Sequence, residues 1–171
     1  MKTKILINLI SIYMLISGVI CLCLFFILIW NNDISAPNVL IMMVFSFVMM
    51  VATLINNIKS LMTKNAIVLC NCIMVNIIIF IVQIFTIVSD GFYFGYTQGG
   101  QLFFFVNFEL LTNDVKWGGV WSLVIYEFML KFEKSQNIMI GINIIPLIGL
   151  VISFLLMTKY KKKINADFKE N

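Results

Sequence analysis

The chain has no histidine and no arginine, and only two prolines. Charged residues fill 12% of its 171 positions, where a soluble domain carries about a quarter. Without histidine there is no side chain whose ordinary pKa suits general-base work near neutral pH, and no imidazole metal ligand. No glycine-rich loop ending in Lys-Ser or Lys-Thr is present to cradle phosphate. No Asp, Glu or Lys lies deep in an apolar run, where proton relays, coupling-ion sites and voltage sensors need one. These absences weigh against a hydrolase, a metalloenzyme and a proton-coupled pump. They leave no catalytic constellation to assign.

Apolar residues are plentiful instead. They make up 61% of the chain, and the mean hydropathy is +1.02. That places the chain among integral membrane proteins of the cell membrane. The formal charge of +4 comes from twelve lysines against eight acids. Five of those lysines follow Thr158, so the basic balance reflects membrane topology and not nucleic-acid binding.

Four apolar runs are long enough to span. They cover about residues 5–30, 39–58, 66–88 and 138–157. The first is ~39 Å long as a helix, enough for a ~30 Å hydrocarbon core with some tilt. It is too long for a signal-peptide core and has no small-residue cleavage site. Trp30 sits where an interfacial anchor belongs. Pro37 falls near the first turn of the second run, where proline is tolerated. Pro146 falls inside the fourth and is expected to kink it.

The lysines set the expected orientation. Lys2 and Lys4, Lys59 and Lys64, and the 159–163 cluster share one side if there are four spans. The positive-inside rule then puts both termini and the basic tail 158–171 in the cytoplasm, with residues 90–137 outside. The expected fold class is therefore all-α: a four-helix transmembrane bundle with an extracytoplasmic cap between helices 3 and 4. Small four-span proteins of bacterial inner membranes share this layout, but layout alone is not homology.

Polar residues recur on single helix faces within the spans. The third run has Cys72, Asn76, Gln83 and Thr86, and the second has Ser46, Thr53 and Asn57. Asn76, Gln83, Ser46 and Thr53 define a polar seam, which favours interhelical hydrogen bonding over a conduit. Gly149 and Ser153 form a small-xxx-small packing pair. Cys21, Cys23, Cys70 and Cys72 lie inside apolar runs. Residues two apart on a helix diverge, so neither pair makes a soft-metal site. No cofactor and no metal is expected.

The 90–137 segment is aromatic and broken by glycine. Gly99-Gly100 and Gly118-Gly119 read as breaks, and Thr112-Asn113-Asp114 as a turn. Residues 102–110 alternate and suggest a short strand. Residues 121–134 read as an amphipathic helix, because Glu127, Lys131 and Lys134 make one polar stripe. The alternative is a strand pairing back to 102–110, giving a small sheet above four helices.

So much apolar surface must bury against the bundle, lipid, a second copy or another protein. The candidate binding residues in the cap are Glu109, Asp114, Lys116, Trp117, Trp121 and Glu127. The expected partners are the lipid bilayer and a membrane or extracytoplasmic protein, with a homo-oligomer as a further candidate. The expected role is a non-enzymatic accessory, immunity or envelope component acting through the cap. The alternative is an oligomeric small transporter or channel using the seam of helices 2 and 3.

Overall fold

A computed structural model describes residues 2–31, 37–89, 92–131 and 137–167. The elements in chain order are α1 (Lys2–Asn31), α2 (Pro37–Met62), α3 (Ala66–Ile84), β1 (Phe85–Ser89), β2 (Phe92–Glu109), β3 (Asp114–Lys131), β4 (Asn137–Asn143) and α4 (Ile144–Asp167). The all-α expectation is wrong: four helices are joined to a four-stranded antiparallel sheet. Among the described residues, stretches of all four helices are long and apolar enough to cross a membrane. They are rich in Ile and Val, poor helix formers in water. In lipid, however, a helix satisfies its own backbone within one segment.

The third and fourth apolar runs each change conformation partway. α3 passes directly into β1 at Phe85, and β4 passes directly into α4 at Ile144. Phe85 opposes Ile142 and Val88 opposes Met139, so the two helices open together into a paired ribbon. Asn143 makes the joint. Its buried Oδ1 accepts from Ile145 N at 3.3 Å, capping α4, and from Leu102 N of β2 at 3.1 Å. Pro146 therefore stands in the first turn of α4, where its missing N–H costs nothing, and the expected mid-helix kink does not arise. At the other end Asn65 caps α3, accepting from Ile67 N and Val68 N.

β2 pairs twice. Its first part runs against β1, from Ser89↔Phe92 to Thr86↔Gly95. Its second part runs against β4, from Phe103↔Asn143 to Glu109↔Asn137. Because β1 and β4 are antiparallel neighbours, the two halves of β2 run in opposite senses. β2 must therefore fold over, and it does so at Gly99, where φ is +100° and the register with β3 shifts before Gln101. β3 follows β2 through both halves. The β2–β3 hairpin is thus bent at its middle, with β1 and β4 side by side in the fold.

Gly99-Gly100 is a bend within β2 and not a chain break. The second expected break, Gly118-Gly119, lies within continuous β3, opposite Phe105 and Phe104. A Cβ on Gly118 would meet the Phe105 ring at 2.8 Å. Likewise the Phe103 ring occupies the space that a Cβ on Gly141 of β4 would take. Glycine here makes room for aromatic rings. The expected helix over 121–134 is also overturned, since β3 extends to Lys131 and pairs with β2 throughout. Asp33, Asp90, Glu133 and Lys134 lie outside the described residues.

The bend is wedged between α1 and α2. Gly100 N donates to the Tyr13 hydroxyl at 3.0 Å, and a Cβ on Gly99 would sit 2.6 Å from Ser17 Oγ. The Tyr96 ring meets Phe45 of α2 edge-on, with centroids 6.3 Å apart. Below the sheet, Ile7, Leu69, Ile73, Ile77 and Leu156 form a core shared by α1, α3 and α4. The Phe80 ring fills the space over Gly149, so the small-residue face of α4 does receive α3. With Ser11 bonded to Ser60 at 2.9 Å, Lys4, Lys59, Lys64 and Lys159 gather at the end of the molecule remote from the sheet.

Candidate functional site

Two polar features stand out: a buried seam through the helices and the exposed tip of the β2–β3 hairpin. In the seam, Asn56 and Asn57 donate to Asn76 Oδ1 at 2.9 and 3.3 Å, and Asn76 returns a bond to Asn57 at 3.0 Å. Asn56 also reaches the Cys72 carbonyl, and Asn57 the Thr53 carbonyl. Thr53 Oγ1 bonds to Met49 O at 2.7 Å and lies 3.5 Å from Gln98 Oε1, which accepts the Tyr96 hydroxyl proton at 2.7 Å. Asn76 and Thr53 thus belong to one network. Ser46 and Gln83 are buried near it but outside it: Ser46 Oγ and Gln83 Nε2 have no hydrogen-bond partner.

Asn56 and Gln98 were not among the sequence candidates. Asn56 adjoins Asn57, and its signal is a second amide on the same helix. Gln98 lies in the cap, so only its uncharged polarity between Tyr96 and Gly99-Gly100 marked it. A cavity of about 10 Å³ beside Asn76, lined by Ser11 and Ser153 among others, is room for roughly one water. Chemically, Asn56, Asn57 and Asn76 form a set of mutually bonded amides, while Gln98 Nε2, like Ser46 Oγ and Gln83 Nε2, is buried without a partner. Amide pairing of this kind locks helices together.

Cys21 and Cys23 diverge, one buried and one exposed. Cys70 and Cys72 are both buried, because α3 packs against α2 on one side and α4 on another. None of the four is in a disulfide.

At the hairpin tip, residues 110–113 turn with Asn113 at φ +56°, a conformation that asparagine tolerates. This returns β3 so that Asp114 opposes Glu109. Lys116 Nζ binds Glu109 Oε2 at 2.9 Å in the open. The hydrogen bond from Lys116, then its charge, holds the Glu109 carboxyl below the usual carboxylate range. The same bond and charge raise the Lys116 ammonium, with Asp114 adding to the effect. Trp117 opposes Val106, and Trp121 opposes Leu102. Four apart on a strand, both indoles share one face, about 13 Å from each other along the strand.

Trp117 and Trp121 share one face of the hairpin, and on the other face Glu109, Asp114 and Lys116 are brought together. Glu127 is not: it opposes Thr97 in the other half of the hairpin, and its side chain lies outside the described residues. The two carboxylates at the tip share one lysine in water.

From Asp114 to Trp121 every residue but the half-buried Gly118 is exposed. Among the described residues β3 pairs only with β2, which leaves this half as a sheet edge. Compared with known proteins, the chain matches no family model, no curated protein and no solved structure.

Proposed function

We propose that the chain is a non-enzymatic, four-span membrane protein that binds another protein along the first half of β3 and the hairpin tip. The membrane reading is supported by an inverted distribution of polarity. The fully buried side chains include Gln98, Asn57, Asn143, Thr53 and Ser153, while Ile16, Val48, Ile78 and Leu155 are open to the surroundings. The lysine-bearing end faces the cytoplasm by the positive-inside rule, so the sheet end faces outward.

The observation that carries the binding reading is the exposed edge from Asp114 to Trp121. An unpaired edge bearing tryptophan is a template for β-pairing, and proteins normally shield such edges. Trp117 and Trp121 are 86% and 72% exposed, and aromatic anchors of this type dominate binding interfaces. The single ion pair at the tip supplies orientation, with Asp114 leaving it one negative charge in excess.

Photo-crosslinking in cells tests this. A photoreactive residue is placed at Trp117, at Leu111 of the tip, or at Ile148 on the open face of α4. One protein captured from the first two positions and not from the third supports the reading. Equal capture from all three, or lipid adducts alone, overturns it. Capture of a second copy of this chain would make the occupant a homo-oligomer and overturn the accessory role.

A further inference from the structure

We infer that the sheet is not a cap above the membrane but stands in the sheet-end leaflet of the bilayer, its open face against lipid. The inference rests on the membrane placement proposed above. Two rulers within the molecule give the depth.

The first ruler is α1. Its uncharged run begins at Ile5, and the β2 bend is bonded to Tyr13. Tyr13 is nine residues beyond Lys4, or ~14 Å along the helix. The bend therefore lies near the middle of a ~30 Å hydrocarbon core. The second ruler is α4. Ile144 starts the helix and Lys159 is its first lysine, fifteen residues on, or ~22 Å. The apolar helix alone falls short of the core by about 8 Å, and β4 is the only chain continuous with it. Tilt lowers both heights and sets the sheet deeper still.

The side chains fit that depth. Phe85, Ile142 and Phe104 lie in one cross-strand row, and Ile87, Ile140, Val106 and Trp117 in the next. All seven are between 38% and 86% exposed, and none is charged. The opposite face of the same strands is closed, with Val88, Phe103 and Asn143 buried. The open face continues the open apolar side of α4, which presents Ile148, Val151 and Leu155.

Trp121 pairs with Leu102 next to the bend, which sets it inside the core. Trp117 is four strand residues higher, by about 13 Å, at the boundary where tryptophan is favoured. Glu109 and Lys116 then meet at the level of headgroups and water, as does Trp30 at the far end of the uncharged run. The partner edge proposed above thus enters the bilayer, where an unpaired backbone is costly. Pairing along that edge is correspondingly favoured.

The test is depth-dependent fluorescence quenching of the full chain in phosphatidylcholine–phosphatidylglycerol vesicles. The three tryptophans are 72% to 90% exposed, so replacing two of them by Phe leaves no cavity. Circular dichroism of each variant confirms the fold. Trp121 alone should emit in the blue, lose most of its emission to lipids brominated deep in the acyl chain, and ignore iodide. Trp117 alone should respond most to bromines near the headgroup. An Ile148→Trp variant lacking the native tryptophans reports on the helices.

If the α4 probe is quenched by bromolipid while Trp121 is quenched by iodide, the protein is in the membrane and the sheet is not, which overturns the inference. If neither probe is quenched by bromolipid, the membrane placement itself fails. Insensitivity of Trp121 to both quenchers means a protein surface covers it, and this also overturns the inference.

Discussion

The backbone N–H of Gly100 donates to the hydroxyl of Tyr13 at 3.0 Å, across 87 residues of chain. This bond ties the fold-over of β2 to the middle of α1. It follows from the close approach at Gly99, which no other residue permits, since φ is +100° and Ser17 leaves no room for a Cβ. Tyr13→Phe removes one hydrogen bond and should cost about 1 kcal/mol of stability. Gly99→Ala adds both a clash and a forbidden φ, and should cost about 1–3 kcal/mol. Thermal unfolding of the detergent-solubilised protein checks the order. Equal effects would mean that the bend is not seated on α1.

Asn143 serves two elements with one oxygen. Asn143→Ala removes the α4 cap, worth about 1 kcal/mol. It also leaves the Leu102 N–H unpaired, at about a further 1–3 kcal/mol. Amide exchange at Leu102 and Ile145 should accelerate together in the variant. Acceleration at Ile145 alone would show that Asn143 is a cap and no more.

The seam separates two kinds of buried amide. Asn76 sits in a network of three asparagines, and its loss takes one acceptor each from Asn56 and Asn57 and leaves Asn57 Oδ1 without its donor. Asn76→Leu should lower stability by about 1–2 kcal/mol, at roughly 0.6 kcal/mol per interhelical bond. Gln83→Leu should be neutral or stabilising, because its Nε2 is buried without a partner. If Gln83→Leu abolishes function while the protein still folds, the amide has a task beyond packing, and the transporter alternative returns.

Much of this was legible in the chain, and the failures have a common cause. The helical faces of α2 and α3 reveal themselves because a polar residue in an apolar run must face a neighbour, so Thr53 and Asn76 were identifiable. The alternation around Asn107 and Glu109 marked the upper part of β2. The helix-to-strand change at Phe85 carries no such mark, since an apolar run suits either conformation. Pairing with β2 and β4, distant in sequence, decides it. Glu127 and Lys131 misled for a related reason. A spacing of four puts two residues on one face of a helix and equally on one face of a strand. For β4 a signal did exist: Asn143 shortly before Pro146 is a helix start inside an apparently continuous span.

The ion pair at the tip makes the hairpin end pH-dependent in both directions. The folded pKa of Glu109 is depressed. Its contribution is present above the unfolded carboxylate value and is lost as pH falls through the folded one. The folded pKa of Lys116 is raised. Its contribution is present below the unfolded ammonium value and is lost as pH rises through the folded one. Both groups are open to solvent, so the effect is local. Carbon-detected NMR should find Glu109 titrating below the usual carboxylate range, and Lys116→Ala should return it upward. An unchanged Glu109 titration in that variant would mean that the pair is not formed in solution.

Lysine substitutions across the sheet give a depth series that does not depend on fluorescence. A lysine facing lipid costs about 2–4 kcal/mol at the bilayer midplane and about 0–1 kcal/mol near the interface. Phe104 lies on the open face one row below Trp117, whereas Leu111 is 70% exposed in the turn at the tip. In water both changes would be mild, since neither residue is buried. With the sheet in the leaflet, Phe104→Lys should cost about 1–3 kcal/mol, between those two depths, and Leu111→Lys close to nothing. Reversible urea unfolding in vesicles measures the pair. Equal and small penalties would put the rows around Phe104 in water and leave α4 to cross the bilayer by thinning it.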